Sequence, residues 1–224
     1  QRQGESEEAK AAEQRFLNST RNRTGMIGVD RLDYSKGLPE RIDGIGRFFD
    51  QIPHRTRDLV FIQIAPPSRE DVESYQQIRA LLEQKTGQIN GARSEVDIVP
   101  IRYVNRGYGH AELYGFFRAS KIGLVTPLRD GMNLVAKEYV AAQDPDDPGV
   151  LILSEFAGAA LQLKDAVLVN PHSPDALAQA IGMALDMPLA ERKRRYQAMI
   201  GTIRDDSVQD WTSRFCRDLS AARD

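Results

Sequence analysis

Short unbroken apolar runs alternate along this chain with stretches in which apolar residues return every three or four positions. The runs at 26–29, 59–65, 96–104, 122–125, 150–153 and 166–169 read as strands, the third interrupted by Pro100. Between and after them, helical spacing covers 38–49, 71–88, 111–120, 132–143, 156–163, 174–185, 189–203 and 208–221. Residues 5–18, rich in Glu, Ala and Lys, predict a surface helix, with 18–24 breaking it and 87–94 as a loop. Strands alternating with helices imply an α/β chain with a Rossmann-like parallel sheet covered by helices on both faces. Residues 1–224 then make a single domain, with 1–23 as a helical or linker segment and 206–224 as a closing helix.

One stretch carries the most chemistry. An apolar strand, Ile122-Gly-Leu-Val125, runs into a tight turn at Pro127 to Gly131, and a helix follows from Met132. Asp130 stands where an N-cap belongs, and the free N–H groups of Met132, Asn133 and Leu134 face outward, so the helix mouth suits an anion. Glu138 comes eight residues after Asp130, roughly 12 Å along a helix axis. A ligand with hydroxyls at both ends and phosphates between them, a nucleotide sugar, fits that spacing. The same residues also fit an ordinary cap and a solvated helical glutamate, and the spacing alone does not choose between the two.

Ligands of such sheets bind beyond the carboxyl ends of the strands, so the loops after the first four are the informative ones. The first holds Arg31 and Lys36, a planar fork and a point charge suited to a departing phosphate. The second holds Arg69 near a helix start, where the dipole slightly disfavours a cation. The third, Asn105-Arg-Gly-Tyr-Gly-His110, offers Tyr108 as an aromatic surface or merely a flexible turn between Gly107 and Gly109.

Composition narrows the field. Hydrophobic residues at 41% and charged ones at 28% describe an ordinary globular chain, and a net charge of −2 gives no reason to expect nucleic acid or a membrane surface as partner. Cys216 is the only cysteine, which excludes an internal disulfide and a cysteine-rich metal site and points to a cytoplasmic setting. His54, His110 and His172 lie too far apart in sequence for a metal-ligand pattern, and Asp144-Pro-Asp-Asp147, bracketed by prolines, reads as a turn. No cofactor and no metal are expected. The opening Gln1 in place of Met leads us to expect a fragment or a processed start.

Arg129-Asp-Gly-Met-Asn-Leu-Val-Ala-Lys-Glu138 resembles the donor-site signature of trehalose-6-phosphate synthases, retaining glycosyltransferases of the GT-B fold. Gly28-Val-Asp-Arg-Leu-Asp-Tyr-Ser-Lys-Gly-Leu-Pro-Glu-Arg41 resembles a second segment of that family, expected at the opposite end of the sheet. Gln63-Ile-Ala-Pro-Pro-Ser-Arg69 resembles a third. The resemblance runs from about Met26 to the C-terminus. It implies transfer of glucose from UDP-glucose to glucose 6-phosphate, giving trehalose 6-phosphate without a metal or a protein nucleophile. By it, Arg31 and Lys36 hold the diphosphate, Asp130 the glucose hydroxyls and Glu138 the ribose. Met132, Asn133, Leu134, Val135, Ala136 and Lys137 supply the helix mouth around the donor, Tyr108 faces the uracil and Arg69 contacts the acceptor phosphate. Arg31, Lys36 and Asp130 are then the catalytic set. The resemblance is to the C-terminal half of a GT-B enzyme. The chain alone is therefore expected to lack the N-terminal domain, to bind donor but turn over poorly, and to leave the stripe Trp211, Phe215 and Leu219 for that domain. A homo-oligomer is compatible with it. A related synthase with another acceptor, of the glucosylglycerol-phosphate type, and a catalytically silent nucleotide-sugar module share these features, and the donor base stays open among UDP, GDP and ADP.

Overall fold

The computed structural model of the chain describes residues 6–67, 72–205 and 208–221. Six strands form one sheet: β1 (Thr24–Val29), β2 (Leu59–Ile64), β3 (Ile101–Val104), β4 (Ile122–Val125), β5 (Val150–Ser154) and β6 (Val167–Val169). Every neighbouring pair is parallel and the order across the sheet is β3-β2-β1-β4-β5-β6. Because the four central strands are buried on both faces, successive side chains alternate between two cores. Val60, Ile62 and Ile64 face one core and Leu59 and Phe61 the other. The first core is closed by α1 (Glu7–Thr20), α4 (His110–Ala119), α5 (Leu134–Ala142) and α7 (Leu189–Asp205). The second is closed by α2 (Leu38–Gln51), α3 (Glu73–Arg93) and α6 (Pro174–Leu185). The final helix, α8, spans Val208–Ala221.

Several boundaries differ from the expectation, each for a local reason. The predicted loop at 87–94 is helical, because α3 runs on to Arg93 with Gly87 and Gly91 on its open side. The predicted strand from 96 starts only at Ile101, since Glu95 and Ile98 pair with each other in a tight antiparallel bridge. The predicted helix at 156–163 shortens to a 3₁₀ turn, Gly158–Leu161. α5 begins two residues late, at Leu134, with consequences for the site.

The sheet order brings two loops side by side. After β1 the chain builds outward through β2 and β3, then returns to lay β4 on the other side of β1. That reversal is the switch point where open α/β sheets leave a crevice at their carboxyl ends. The segments after β1 and β4, expected at opposite ends of the sheet, are therefore immediate neighbours.

Candidate functional site

The wall of the crevice is built by the loop after β1. Asp33 accepts hydrogen bonds from Ser35 N at 2.8 Å and Ser35 Oγ at 2.7 Å, folding Tyr34–Lys36 into a 3₁₀ turn. Tyr75 of α3 donates its hydroxyl to Asp33 at 3.0 Å and fixes the turn from outside. Burial would raise the Asp33 carboxyl, but the bonds from Ser35 and Tyr75, with the nearby Lys36 charge, hold it below the usual range. Gly37 then takes φ +63°, and a Cβ there would press on the Thr126 carbonyl at 2.8 Å, so this crossing needs a glycine.

The loop after β4 is fastened on both sides. Leu128 N donates to the Ser35 carbonyl at 2.8 Å. On the other flank Asp130 N donates to Phe156 O at 3.2 Å, and Gly158 N and Ala159 N return bonds to Asp130 O and Met132 O. Asp130 is thereby held facing the neighbouring loop, and Lys36 Nζ donates to its Oδ2 at 2.6 Å. Asp130 does not cap α5. The cap is Asn133, in the left-handed region at φ 73°, whose Oδ1 accepts from Ala136 N at 3.1 Å. Its Nδ2 donates to Asp130 at 3.0 Å, so one side chain starts the helix and orients the acid. With α5 opening at Leu134, the N–H groups outside the intrahelical ladder are those of Asn133, Leu134 and Val135 rather than of Met132, Asn133 and Leu134. An Asn after Gly-Met, tolerant of positive φ and a strong N-cap, was the available signal for this.

Beneath both loops lies a buried network to which the sequence motifs assign no role. The Arg41 guanidinium, fully buried, donates from Nη1 to Asp30 at 2.6 Å and Gln63 at 2.9 Å, and from Nε to Thr126 at 2.9 Å. Burial pushes the Asp30 carboxyl above its usual range, against the pull of Arg41. The clue was periodicity: Arg41 shares the buried face of α2 with Leu38, Ile42, Ile45, Phe48 and Phe49.

The remaining expected residues are placed as follows. Arg31 is exposed at the lip, and among the described residues no hydrogen bond or ion pair occupies it. Glu138 is exposed on the second turn of α5, Lys137 and Val135 are half-buried, and Ala136 is buried in the core. Met132 and Leu134 stay more than half exposed around the mouth. Tyr108 precedes α4, its ring packed edge-on against Phe116 at 5.1 Å and beneath the Arg106 guanidinium at 4.6 Å. Those contacts engage it with its own loop and with α4 rather than with Asp130 or Glu138. Arg69 lies outside the described residues, as does the side chain of Trp211. Phe215 and Leu219 are both more than half exposed on α8.

Among the described residues no three His, Cys, Asp or Glu side chains converge as a metal set, and no helix is long and apolar enough to cross a membrane. The Asp144–Asp147 stretch is a turn: Asp146 N donates to Asp144 Oδ1 at 3.0 Å, and Arg118, Lys121 and Arg192 pair with its acids.

Residues 1–221 match the family model for glycosyltransferase family 20. The chain is 49% identical over 206 residues to the trehalose-6-phosphate synthase of Sinorhizobium fredii, covering 92% of this chain and 44% of that protein. The UDP-forming alpha,alpha-trehalose-phosphate synthase of Burkholderia xenovorans, solved in complex with glucose-6-phosphate, superposes with a TM-score of 0.91 at 48% identity, over 96% of this chain and 48% of that one. An E. coli structure bound with UDP-2-fluoro glucose gives 0.90 at 44% identity, over 95% and 49%. The chain thus spans about half the length of the relatives it matches.

Proposed function

The chain belongs to glycosyltransferase family 20, and on that premise we propose that it is the donor-binding half of a UDP-forming trehalose-6-phosphate synthase. The observation that carries the reading is the meeting of Lys36 and Asp130 at the switch point, 2.6 Å apart and beside the mouth of α5. A nucleoside diphosphate sugar has the matching charge pattern. Its pyrophosphate takes the Lys36 ammonium, the Arg31 fork and the N–H groups of Leu134 and Val135. Its sugar hydroxyls take the Asp130 carboxylate, and Glu138, one turn further along α5, takes the ribose.

In this reading the two cations and the helix mouth stabilise negative charge as it gathers on the leaving phosphate, which is the step where such stabilisation lowers a barrier. The departing phosphate oxygen accepts the proton of the acceptor hydroxyl as the new bond forms on the same face, so the anomeric configuration is kept. No protein nucleophile, metal or cofactor enters the scheme. Glucose 6-phosphate is the acceptor, its phosphate assigned to Arg69. Tyr108 keeps its assignment to the uracil. The half of the relatives outside the match supplies the rest of the acceptor site, and a cytoplasmic location goes with this chemistry.

Calorimetric titration of the chain with UDP-glucose tests the reading, repeated with Asp130→Ala and Lys36→Ala. Binding that is unchanged in both variants refutes the site assignment. For the acceptor, glucose 6-phosphate is compared with glycerol 3-phosphate as substrate of the full-length enzyme. Preference for glycerol 3-phosphate assigns the chain to a sister synthase.

A further inference from the structure

Both loops of the crevice rest on one buried guanidinium. Arg41 enters from the first turn of α2, its side chain wholly shielded from solvent. It bonds Asp30, the residue that follows β1, and Thr126, the residue that follows β4, at 2.6 and 2.9 Å. A third bond, at 2.9 Å, reaches Gln63 near the end of β2, and Gln63 in turn donates to the Gly28 carbonyl of β1 at 3.2 Å. The long remaining contact runs from Nη2 to the Lys36 carbonyl at 3.5 Å. Even the bare Cα of Gly28 belongs to this arrangement, because a Cβ there would stand 2.7 Å from both Arg41 Nη1 and Gln63 Oε1.

The positions of these partners in sequence matter. Asp30 lies six residues before Lys36, and Thr126 lies four before Asp130. A planar guanidinium fixes its bonded partners in one plane at set angles, which a point charge on a flexible stem does not do. The height of one loop against the other, and with it the Lys36–Asp130 spacing, is therefore set from below by a group shielded from solvent.

We propose that Arg41 is a positioning residue for donor binding: through Asp30 and Thr126 it holds the Lys36 and Asp130 loops in register. This rests on the proposed function, in which those two side chains meet the donor. A purely structural Arg41 would stabilise the fold without altering affinity in molecules that remain folded, so the two roles separate experimentally.

The test uses the 224-residue chain with UDP-glucose titrated calorimetrically, well below the melting temperature of each variant. Thr126→Val removes the acceptor of one bond at nearly constant shape, Thr126→Ser restores it, and Arg41→Lys keeps the charge but loses the fork. We expect about a tenfold loss of affinity in Thr126→Val and in Arg41→Lys, the scale of one charged hydrogen bond, and near wild-type binding in Thr126→Ser. Folded Thr126→Val and Arg41→Lys proteins that bind UDP-glucose like wild type overturn the inference while leaving the proposed function intact. Should Arg41→Lys fail to fold, the Thr126 pair decides alone. A wild-type chain that does not bind UDP-glucose removes the proposed function itself, and the inference with it.

Discussion

Lys36 and Asp130 each keep less than a fifth of their side-chain surface exposed, so their contact is neither a buried pair nor a freely solvated one. Such groups exchange partners at modest cost, which suits the ligand-binding role proposed for them. On the proposed function, Lys36→Ala takes one charged hydrogen bond from the diphosphate, and it leaves Asp130 without its ammonium partner. We expect UDP-glucose affinity to fall roughly 10- to 100-fold, the range of ~1.5–3 kcal/mol for such a bond, read by titration. The turn beneath Lys36 adds a pH dependence. The Asp33 carboxyl sits below its usual range in the folded chain, so its contribution is complete above about pH 4, the ordinary carboxylate value, and is lost as pH falls through the lower folded value. In Asp33→Asn the amide oxygen still accepts from Ser35 but does not ionise. Melting temperature should therefore drop less steeply below pH 4 in Asp33→Asn than in wild type, and equal slopes would remove Asp33 from the account. Residues of this kind differ in how openly the sequence displays them. Arg31, Lys36 and Asp130 stand in recognisable motifs, whereas Arg41, at the end of one, carries no such sign, because a buried arginine announces itself only through the face of the helix it shares.

At the scale of elements, α5 decides how the crevice is lined. Its first residue is set by Asn133, which holds φ 73°, caps Ala136 N and donates to Asp130. Replacing Asn133 with alanine removes the cap, at about 1 kcal/mol, and leaves in the left-handed region a side chain without the local hydrogen bonds by which Asn tolerates it. Glycine at 133 relieves the backbone and costs only a few tenths as a cap. Denaturant midpoints should thus place Asn133→Gly above Asn133→Ala, and an alanine variant as stable as the glycine one would exclude backbone strain. The far end of α5 is fixed independently by Tyr139, fully buried, which donates its hydroxyl to Ser120 O at 3.0 Å. The helices and strands were legible because the period of apolar residues changes from two or none to about 3.6 along the chain. Their ends were less so. The start of α5 depended on one side chain making two bonds, and the extent of α3 on glycines that face open space and cost the helix little beyond their own propensity.

For the whole molecule, sequence periodicity gave the class of fold but not the strand order, since pairing between β1 and β4 joins residues almost a hundred positions apart. That order makes neighbours of the two motif-bearing loops. All the donor contacts assigned above lie on one wall, at the carboxyl edge of a single sheet. A displacement between two sugars needs both reactants fixed and water kept out, and bringing reactants together in this way is worth roughly 7–11 kcal/mol. In the proposed function a single wall supplies only the donor's share of that. The chain should therefore bind UDP-glucose on its own, by calorimetry, while producing no trehalose 6-phosphate from UDP-glucose and glucose 6-phosphate above the uncatalysed background. Joining it to the half of a relative that lies outside the matched region should bring turnover back. It should also reduce the exposure of Phe215 and Leu219 on α8 if that face receives the added domain, as labelling of the neighbouring Cys216 would reveal through slower reaction. Product formation by the 224 residues alone would show that one wall suffices, and the acceptor site would then have to be sought within this chain.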